Sequence, residues 1–274
     1  MERSEQREQD INSPAPAIQT ENLTRRFGDL TAVDCLNLAV PYGVIFGFLG
    51  PNGAGKSTTI NMLIGLLPPT AGTANVGGFD IQGEPLEVKR RIGVMPEELS
   101  LYERLTASEQ IELVGRLHGL SRIEIEQRIP PLLDLLELGD SADKMILDYS
   151  HGMRKKTALA CALIHAPGIL FLDEPFEGID PISTRAIKEV LRDMVDRRGT
   201  TVFFSTHVME LAERFCDQVG IINKGQLAGL GGIPDLRQRA GLPDDAPLED
   251  VFIRTVGAEV TDEGLLDWLT GHVV

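Results

Sequence analysis

The sequence predicts an α/β fold with a mostly parallel sheet. Three observations carry the prediction. VIFGFLG is a short, continuous apolar run, as a strand buried on both faces is, and ILFLDEP and TTVFFSTH read as a second and a third buried strand. Each is followed by a stretch of helical period, and strands alternating with helices in this way build a parallel sheet covered on both sides. The chain has 274 residues, 42% hydrophobic and 24% charged, which is ordinary for a globular protein with ample material for a core.

The elements follow in order. Residues 1–16 are polar, end in SPAPA and read as a disordered lead-in. AIQTENLTRRF, AVDCLNLAV and TANVGGFDI read as sheet strands. VIFGFLG is a buried strand feeding a glycine loop, after which KSTTINMLIGLL switches to helical period. Residues 104–165 are mostly helical, with ASEQIELVGRLHGL, RIEIEQRIPPLLDLLEL and HGMRKKTALACALI carrying the pattern. Pro130–Pro131 predicts a break there. In ISTRAIKEVLRDMVDRR, the residues Ile187, Val190, Leu191, Met194 and Val195 share one helical face. A helix through VMELAERFC follows TTVFFSTH. After Gly225 the chain is rich in Gly and Pro, then acidic, and LEDVFIRTVG and the tail are weakly patterned.

Asp plus Glu exceed Lys plus Arg by 41 to 26, a net charge of −15, so the surface repels nucleic acid at long range. Cys35, Cys161 and Cys216 form no C-x-x-C pair and read as buried free thiols in a reducing cytosol rather than metal ligands. No apolar run approaches the roughly 18 residues of a membrane span, and MERSEQREQD is too polar for a signal peptide. If the chain works at a membrane, another chain supplies the spans.

Gly50, Pro51, Asn52, Gly53, Ala54, Gly55, Lys56, Ser57 and Thr58 read GPNGAGKST, between a strand and a helix. A triphosphate is a dense anion that backbone N–H groups can surround only where side chains do not obstruct, and the three glycines permit that wrap. The helix that begins near Lys56 points its free N–H groups and positive dipole end at the phosphates. Lys56 adds a point charge between the β- and γ-phosphates. The Ser57 hydroxyl can hold Mg²⁺, and Thr58 can support the phosphates. ILFLDEP ends a buried strand with two carboxylates. Successive strand residues point opposite ways, so a Walker-B reading gives Asp173 to Mg²⁺ and gives Glu174 the attacking water, to orient or deprotonate. His207 follows the third buried strand, where ligand sites of open α/β sheets gather, and is placed to hydrogen-bond a γ-phosphate. His118, His165 and His272 have no such placement and read as surface or packing residues. YSHGMRKK at 149–156 has two readings on its own: a helix capped by Ser150 with Arg154, Lys155 and Lys156 as a solvated face, or a surface that reads a phosphate.

With GPNGAGKST, YSHGM, ILFLDEP, GIDP at Gly178–Pro181 and His207 in that order, residues 17–230 resemble the nucleotide-binding subunit of an ATP-binding cassette (ABC) transporter. The resemblance implies a P-loop nucleoside-triphosphatase core, an antiparallel β subdomain and an α-helical subdomain over about 99–165, with 231–274 as a C-terminal extension. YSHGM stands where the family carries its signature loop. Ser150, His151 and Gly152 would therefore face the ATP held by a partner's P-loop, and Asp180 would be the D-loop aspartate. Phe27 stands where the family has an aromatic that stacks on adenine. His151 replaces a glycine and Met153 a glutamine. Glu97, in MPEELSLYERLT, stands where the family usually has a glutamine that contacts Mg²⁺ and couples the domains. The implied function is ATP hydrolysis, with Mg²⁺, in a homodimer or heterodimer of such subunits. That dimer would power a separate integral membrane subunit, an exporter by branch, from the cytoplasmic face of the membrane. Two other readings use the same motifs. One is a soluble cassette acting on DNA or ribosomes, which the net charge and the lack of sustained heptads oppose. The other is a regulatory, low-turnover cassette, for which Glu97 is the only support.

Overall fold

A computed structural model describes residues 15–257. Two sheets organise them. In the smaller, β1 (Ile18–Phe27) and β2 (Leu30–Val40) form an antiparallel hairpin. β1 also pairs antiparallel with β4 (Ala71–Val76), which turns through Gly77 and Gly78 into β5 (Phe79–Asp80), giving the order β2-β1-β4-β5. The stretch TANVGGFDI is thus two strands and a turn, because both glycines take positive φ.

The larger sheet contains β3 (Ile45–Leu49), β6 (Ile92–Met95), β7 (Ile169–Asp173), β8 (Thr201–Thr206), β9 (Gln218–Asn223) and β10 (Gln226–Gly231), in the order β10-β9-β3-β8-β7-β6. Its pairings are parallel except that of β10 with β9, which closes a hairpin on the edge. Every residue of β3, β7 and β8 is buried, the physical reason why each carries consecutive large apolar side chains. Phe203 of β8 lies 5.3–5.4 Å, centroid to centroid, from Phe46, Phe48 and Phe171, so aromatic packing ties the three central strands together.

α1 (Lys56–Leu63) follows β3, and α2 (Pro85–Arg91) precedes β6. A helical segment then intervenes before β7: α3 (Ala107–Leu117), α4 (Arg122–Leu135) and α5 (His151–Leu163). Thr106 with Glu109 and Ser121 with Glu124 form capping boxes that fix the starts of α3 and α4. The expected break at Pro130–Pro131 is absent, and α4 runs through both prolines. Both are exposed, so the carbonyls left without an amide partner can face water, while Ile125 and Leu133 hold the opposite side in the core.

α6 (Pro181–Arg198) buries Ile187, Leu191 and Val195 and leaves Val190 and Met194 half-buried. After β8 come α7 (Met209–Phe215), the β9–β10 hairpin, α8 (Ile233–Arg239) and α9 (Leu248–Val256). LEDVFIRTVG, weakly patterned as sequence, is largely α9. Its fully buried Leu248 and Val251 join a cluster with Leu49, Ala212, Val219, Ile221, Ile233 and Leu236. The expectation of three buried thiols holds only for Cys161. Cys216 is half-buried just beyond α7, and Cys35 is exposed at φ 48° on β2. No helix among the described residues is long and apolar enough to cross a membrane.

Candidate active site

The site follows from parallel register. β3, β8 and β7 lie side by side with Leu49 opposite Thr206 and Asp173 opposite Ser205, so their carboxyl ends share one edge. The glycine loop leaves β3 there, Glu174 leaves β7 and His207 leaves β8. Gly50 passes close to β9, where an added Cβ would lie 2.4 Å from the Ile222 carbonyl oxygen. Gly55 has φ 108°, and its Cβ would lie 2.5 Å from the Ala32 carbonyl oxygen. As the N-cap of α1, Gly55 offers no side chain, and no acidic residue sits in the first turn. The first amides of α1 therefore remain for an anion.

Lys56 is buried. Its Nζ donates to the carbonyls of Gly50 at 2.9 Å and Pro51 at 3.3 Å and lies 3.6 Å from Glu174 Oε1. The cavity beside it, about 350 Å³, is lined by Phe27, Asn52, Gly53, Gly55, Lys56, Ser57, Thr58, Glu97 and Glu174. Pro51 is exposed on the same loop and Ala54 is buried beneath it. Phe27 is 45% exposed, with the Arg25 guanidinium 4.5 Å from its ring centroid, so it is a surface ring at the mouth rather than a core phenylalanine.

The two carboxylates part ways because the strand ends between them. Asp173 is the last residue of β7, while Glu174 takes φ 46°, a left-handed conformation that is strained for glutamate. The Ser205 hydroxyl donates to Asp173 and accepts from the Glu174 N–H at 3.2 Å, pinning both residues. Burial raises the Asp173 carboxyl above the ordinary range, the hydroxyls of Ser205 and Ser57 oppose that, and Glu97 and Glu174 add to it. Ser57 Oγ donates to Glu97 Oε2 at 3.1 Å and also bonds Asp173, so the Ser57 hydroxyl sits between two carboxylates, a set of hard oxygens. That donor set fits Mg²⁺. His207 Nδ1 is 2.9 Å from Glu174 Oε1, and its ring is partly exposed.

Ser150, His151 and Gly152 do not line this cavity. Ser150 is exposed and caps α5, accepting from the Met153 N–H at 3.3 Å. A Cβ at Gly152 would lie 2.9 Å from the Gly178 carbonyl oxygen, and one at Gly178 would lie 3.2 Å from the His151 ring. Gly152 is thus required by packing within the chain. Asp180 caps α6, accepting from the Ser183 N–H at 2.9 Å; hydrogen bonds from Ser183 hold its carboxyl far below the usual range, and Lys156 adds to this.

Ser150 caps the helix as expected, but Arg154, Lys155 and Lys156 are not the solvated face expected of them. Arg154 binds the carbonyls of Tyr149 and Leu147 and pairs with Glu103. Lys155 is buried and donates to the Glu174 carbonyl at 2.9 Å. Lys156 lies 3.3 Å from Glu137 and 3.2 Å from Asp180. All three hold the chain to itself. Ser205 was missed as well; the signal was a serine directly after the Val202–Phe204 apolar run of a buried strand, where it stands in register with Asp173. His118 and His165 do pack, their rings stacked at 3.6 Å, with His165 Nε2 3.0 Å from the Ile92 carbonyl oxygen. His272 lies outside the described residues.

A strand, a glycine loop and a helix that present a lysine and uncapped amides to an acidic rim define a P-loop nucleotide-binding protein. A family model described as ABC transporter matches residues 33–177. The chain is 41% identical over 228 residues to the daunorubicin/doxorubicin resistance ATP-binding protein DrrA of Streptomyces peucetius, covering 83% of this chain and 69% of that one. It is 39% identical over 224 residues to the linearmycin resistance ATP-binding protein LnrL of Bacillus subtilis, covering 82% and 72%. The solved structure of an ATP binding subunit of an ABC transporter matches with a TM-score of 0.83 and 31% identity, over 88% of this chain and 99% of that one. A dimeric post-hydrolysis structure of the ATP-binding cassette MJ0796, bound to ADP and Pi, matches with a TM-score of 0.73 and 25% identity, over 79% and 98%. The chain belongs to the ABC transporter family, as its ATP-binding and ATP-hydrolysing component.

Proposed function

We propose that this chain is the ATPase subunit of an exporter, acting at the cytoplasmic face of the membrane through a separate membrane-spanning subunit. The resistance roles in the names of its relatives support export. In the proposed division, residues 17–230 form the cassette, with 99–165 as its helical insert and 231–274 as an extension.

The α1 amides and Lys56 hold the β- and γ-phosphates, Thr58 supports them, and Phe27 stacks on the base. Ser57, Asp173 and Glu97 hold Mg²⁺, which when bound neutralises phosphate charge. Glu174 accepts the proton of the attacking water, and His207 fixes the carboxylate and reaches the γ-phosphate. Ser150 and Gly152, at the exposed start of α5, meet the γ-phosphate held by a second such subunit, and Asp180 faces the same interface. ATP then links two subunits, and hydrolysis removes the linking charge.

The observation that carries this reading is that Lys56 and His207 both meet the Glu174 carboxylate at the rim of the glycine loop. Glu174→Gln with ATP, run by size exclusion, is expected to give a dimer that ADP does not give, with turnover lost. A monomer under both nucleotides, or undiminished turnover, contradicts the proposal.

A further inference from the structure

We infer that Lys155 is a positioning residue for Glu174, through which α5 bears on this chain's own hydrolytic carboxylate. The inference rests on the reading of Glu174 as the base. The Lys155 side chain is 2% exposed, and an ammonium buried that deeply needs an acceptor. Its acceptor is the Glu174 main-chain carbonyl at 2.9 Å; the nearest carboxylate, Glu177 Oε2, is 3.8 Å away on a largely exposed side chain.

Glu174 is the residue that needs holding. A glutamate at φ 46° is strained and persists only where its surroundings over-determine it. Ser205 accepts from its N–H, and Lys155 donates to its carbonyl. Among the described residues the only other donor to that carbonyl is the Glu177 N–H at 3.4 Å, a long bond. Without the ammonium, the peptide is free to relax, and the carboxylate moves with it away from Lys56 and His207.

The same helix touches the segment after β7 at two further places. Gly152 packs against the Gly178 carbonyl, and Lys156 lies 3.2 Å from Asp180. One face of α5 thus grips the segment 174–180 along its length. Ser150 lies five residues before Lys155, about 7.5 Å along a rigid helix, so a displacement at the helix start reaches Glu174 directly.

The test uses the full chain. Lys155→Met keeps the stem and removes the ammonium, and Lys155→Arg restores a charged donor. Turnover, KM for Mg·ATP and affinity for a fluorescent ATP analogue are measured on both, with Glu174→Gln in parallel. Lys155→Met is expected to lose about tenfold or more in kcat while KM and affinity stay within about threefold, and Lys155→Arg to recover most of the loss. If Lys155→Met does not fold, as judged by circular dichroism, Lys155→Gln, polar but too short to reach the Glu174 carbonyl, is read by the same split. Wild-type kcat in a folded variant overturns the inference. So does a change confined to KM, or an Arg variant no better than Met. If Glu174→Gln itself retains turnover, the base assignment fails; if it loses turnover while Lys155→Met does not, only the inference about Lys155 fails.

Discussion

Lys56 Nζ lies 3.6 Å from Glu174 Oε1, so the cation of the glycine loop and the carboxylate just past β7 neutralise each other across the cavity. Both side chains are over nine-tenths buried, which makes the contact stronger than a surface pair. A γ-phosphate brought to Lys56 competes with Glu174 for the same ammonium. Glu174→Gln removes that competitor. It is expected to bind ATP more tightly than wild type, by about two- to tenfold, while kcat falls at least about 100-fold. Titration with a fluorescent nucleotide beside a steady-state assay checks both; weaker binding in the variant would show that Glu174 does not restrain Lys56.

The glycines of the loop differ in why they are there, and alanine separates the reasons. At Gly50 a Cβ meets the Ile222 carbonyl oxygen at 2.4 Å, so Gly50→Ala should destabilise the fold by at least about 2 kcal/mol in urea denaturation. At Gly53, with φ 78° and nothing within 4 Å, Gly53→Ala carries only backbone strain of about 1 kcal/mol. Its larger effect should be weaker ATP binding. Equal losses of stability would contradict the packing described for Gly50.

The unexpected course of α4 gives a stability test far from the site. Pro131 sits on the solvent side of a continuous helix, leaving the carbonyl one turn earlier without its amide partner. Pro131→Ala should raise stability by about 1 kcal/mol, since restored helix propensity outweighs the greater freedom of the unfolded chain. A lower melting temperature would mean that the ring packs against something essential.

How legible the molecule was depended on whether the cause was local. β3, β7 and β8 were readable because strands buried on both faces carry consecutive large apolar residues, and the glycine loop because phosphate binding demands it in one short stretch. α4 was misread because the proline rule counts a lost hydrogen bond and a ring clash, and here both prolines lie on the exposed side of the helix, where water can replace the lost bond. α9 was missed although Leu248, Val251 and Phe252 keep helical spacing, because nine residues between Gly/Pro-rich and acidic stretches carry little periodic signal. Lys155 looked like a surface charge. Its spacing from Leu159 placed it on the buried face, but its partner lies 19 residues away on another element, where no local pattern points.

His165 supplies a pH dependence. Burial, then the stacked His118 ring, pushes its imidazole down to about 4 from an ordinary 6.5. The unfolded chain therefore takes up a proton as pH falls through 6.5 while the folded chain does not until about 4, so this residue costs stability progressively across that window and nothing above it. Lys89 also lines its cleft, and Arg128 bonds the adjoining Ile164 carbonyl, so added charge there is further opposed. In His165→Gln the melting temperature should fall less between pH 7 and pH 5 than in wild type. Parallel curves would remove His165 from this role.

In the proposed dimer the capped start of α5 in one subunit meets the nucleotide held by the loop of another. The most direct measurement is disulfide crosslinking of a chain carrying Ser150→Cys and Asn52→Cys, with Cys35→Ser to silence the exposed native thiol and Glu174→Gln to prevent turnover. The account predicts a covalent dimer joined between residues 150 and 52 that forms with Mg·ATP and not with ADP or without nucleotide. Failure to crosslink under ATP, in protein that binds ATP, would contradict it.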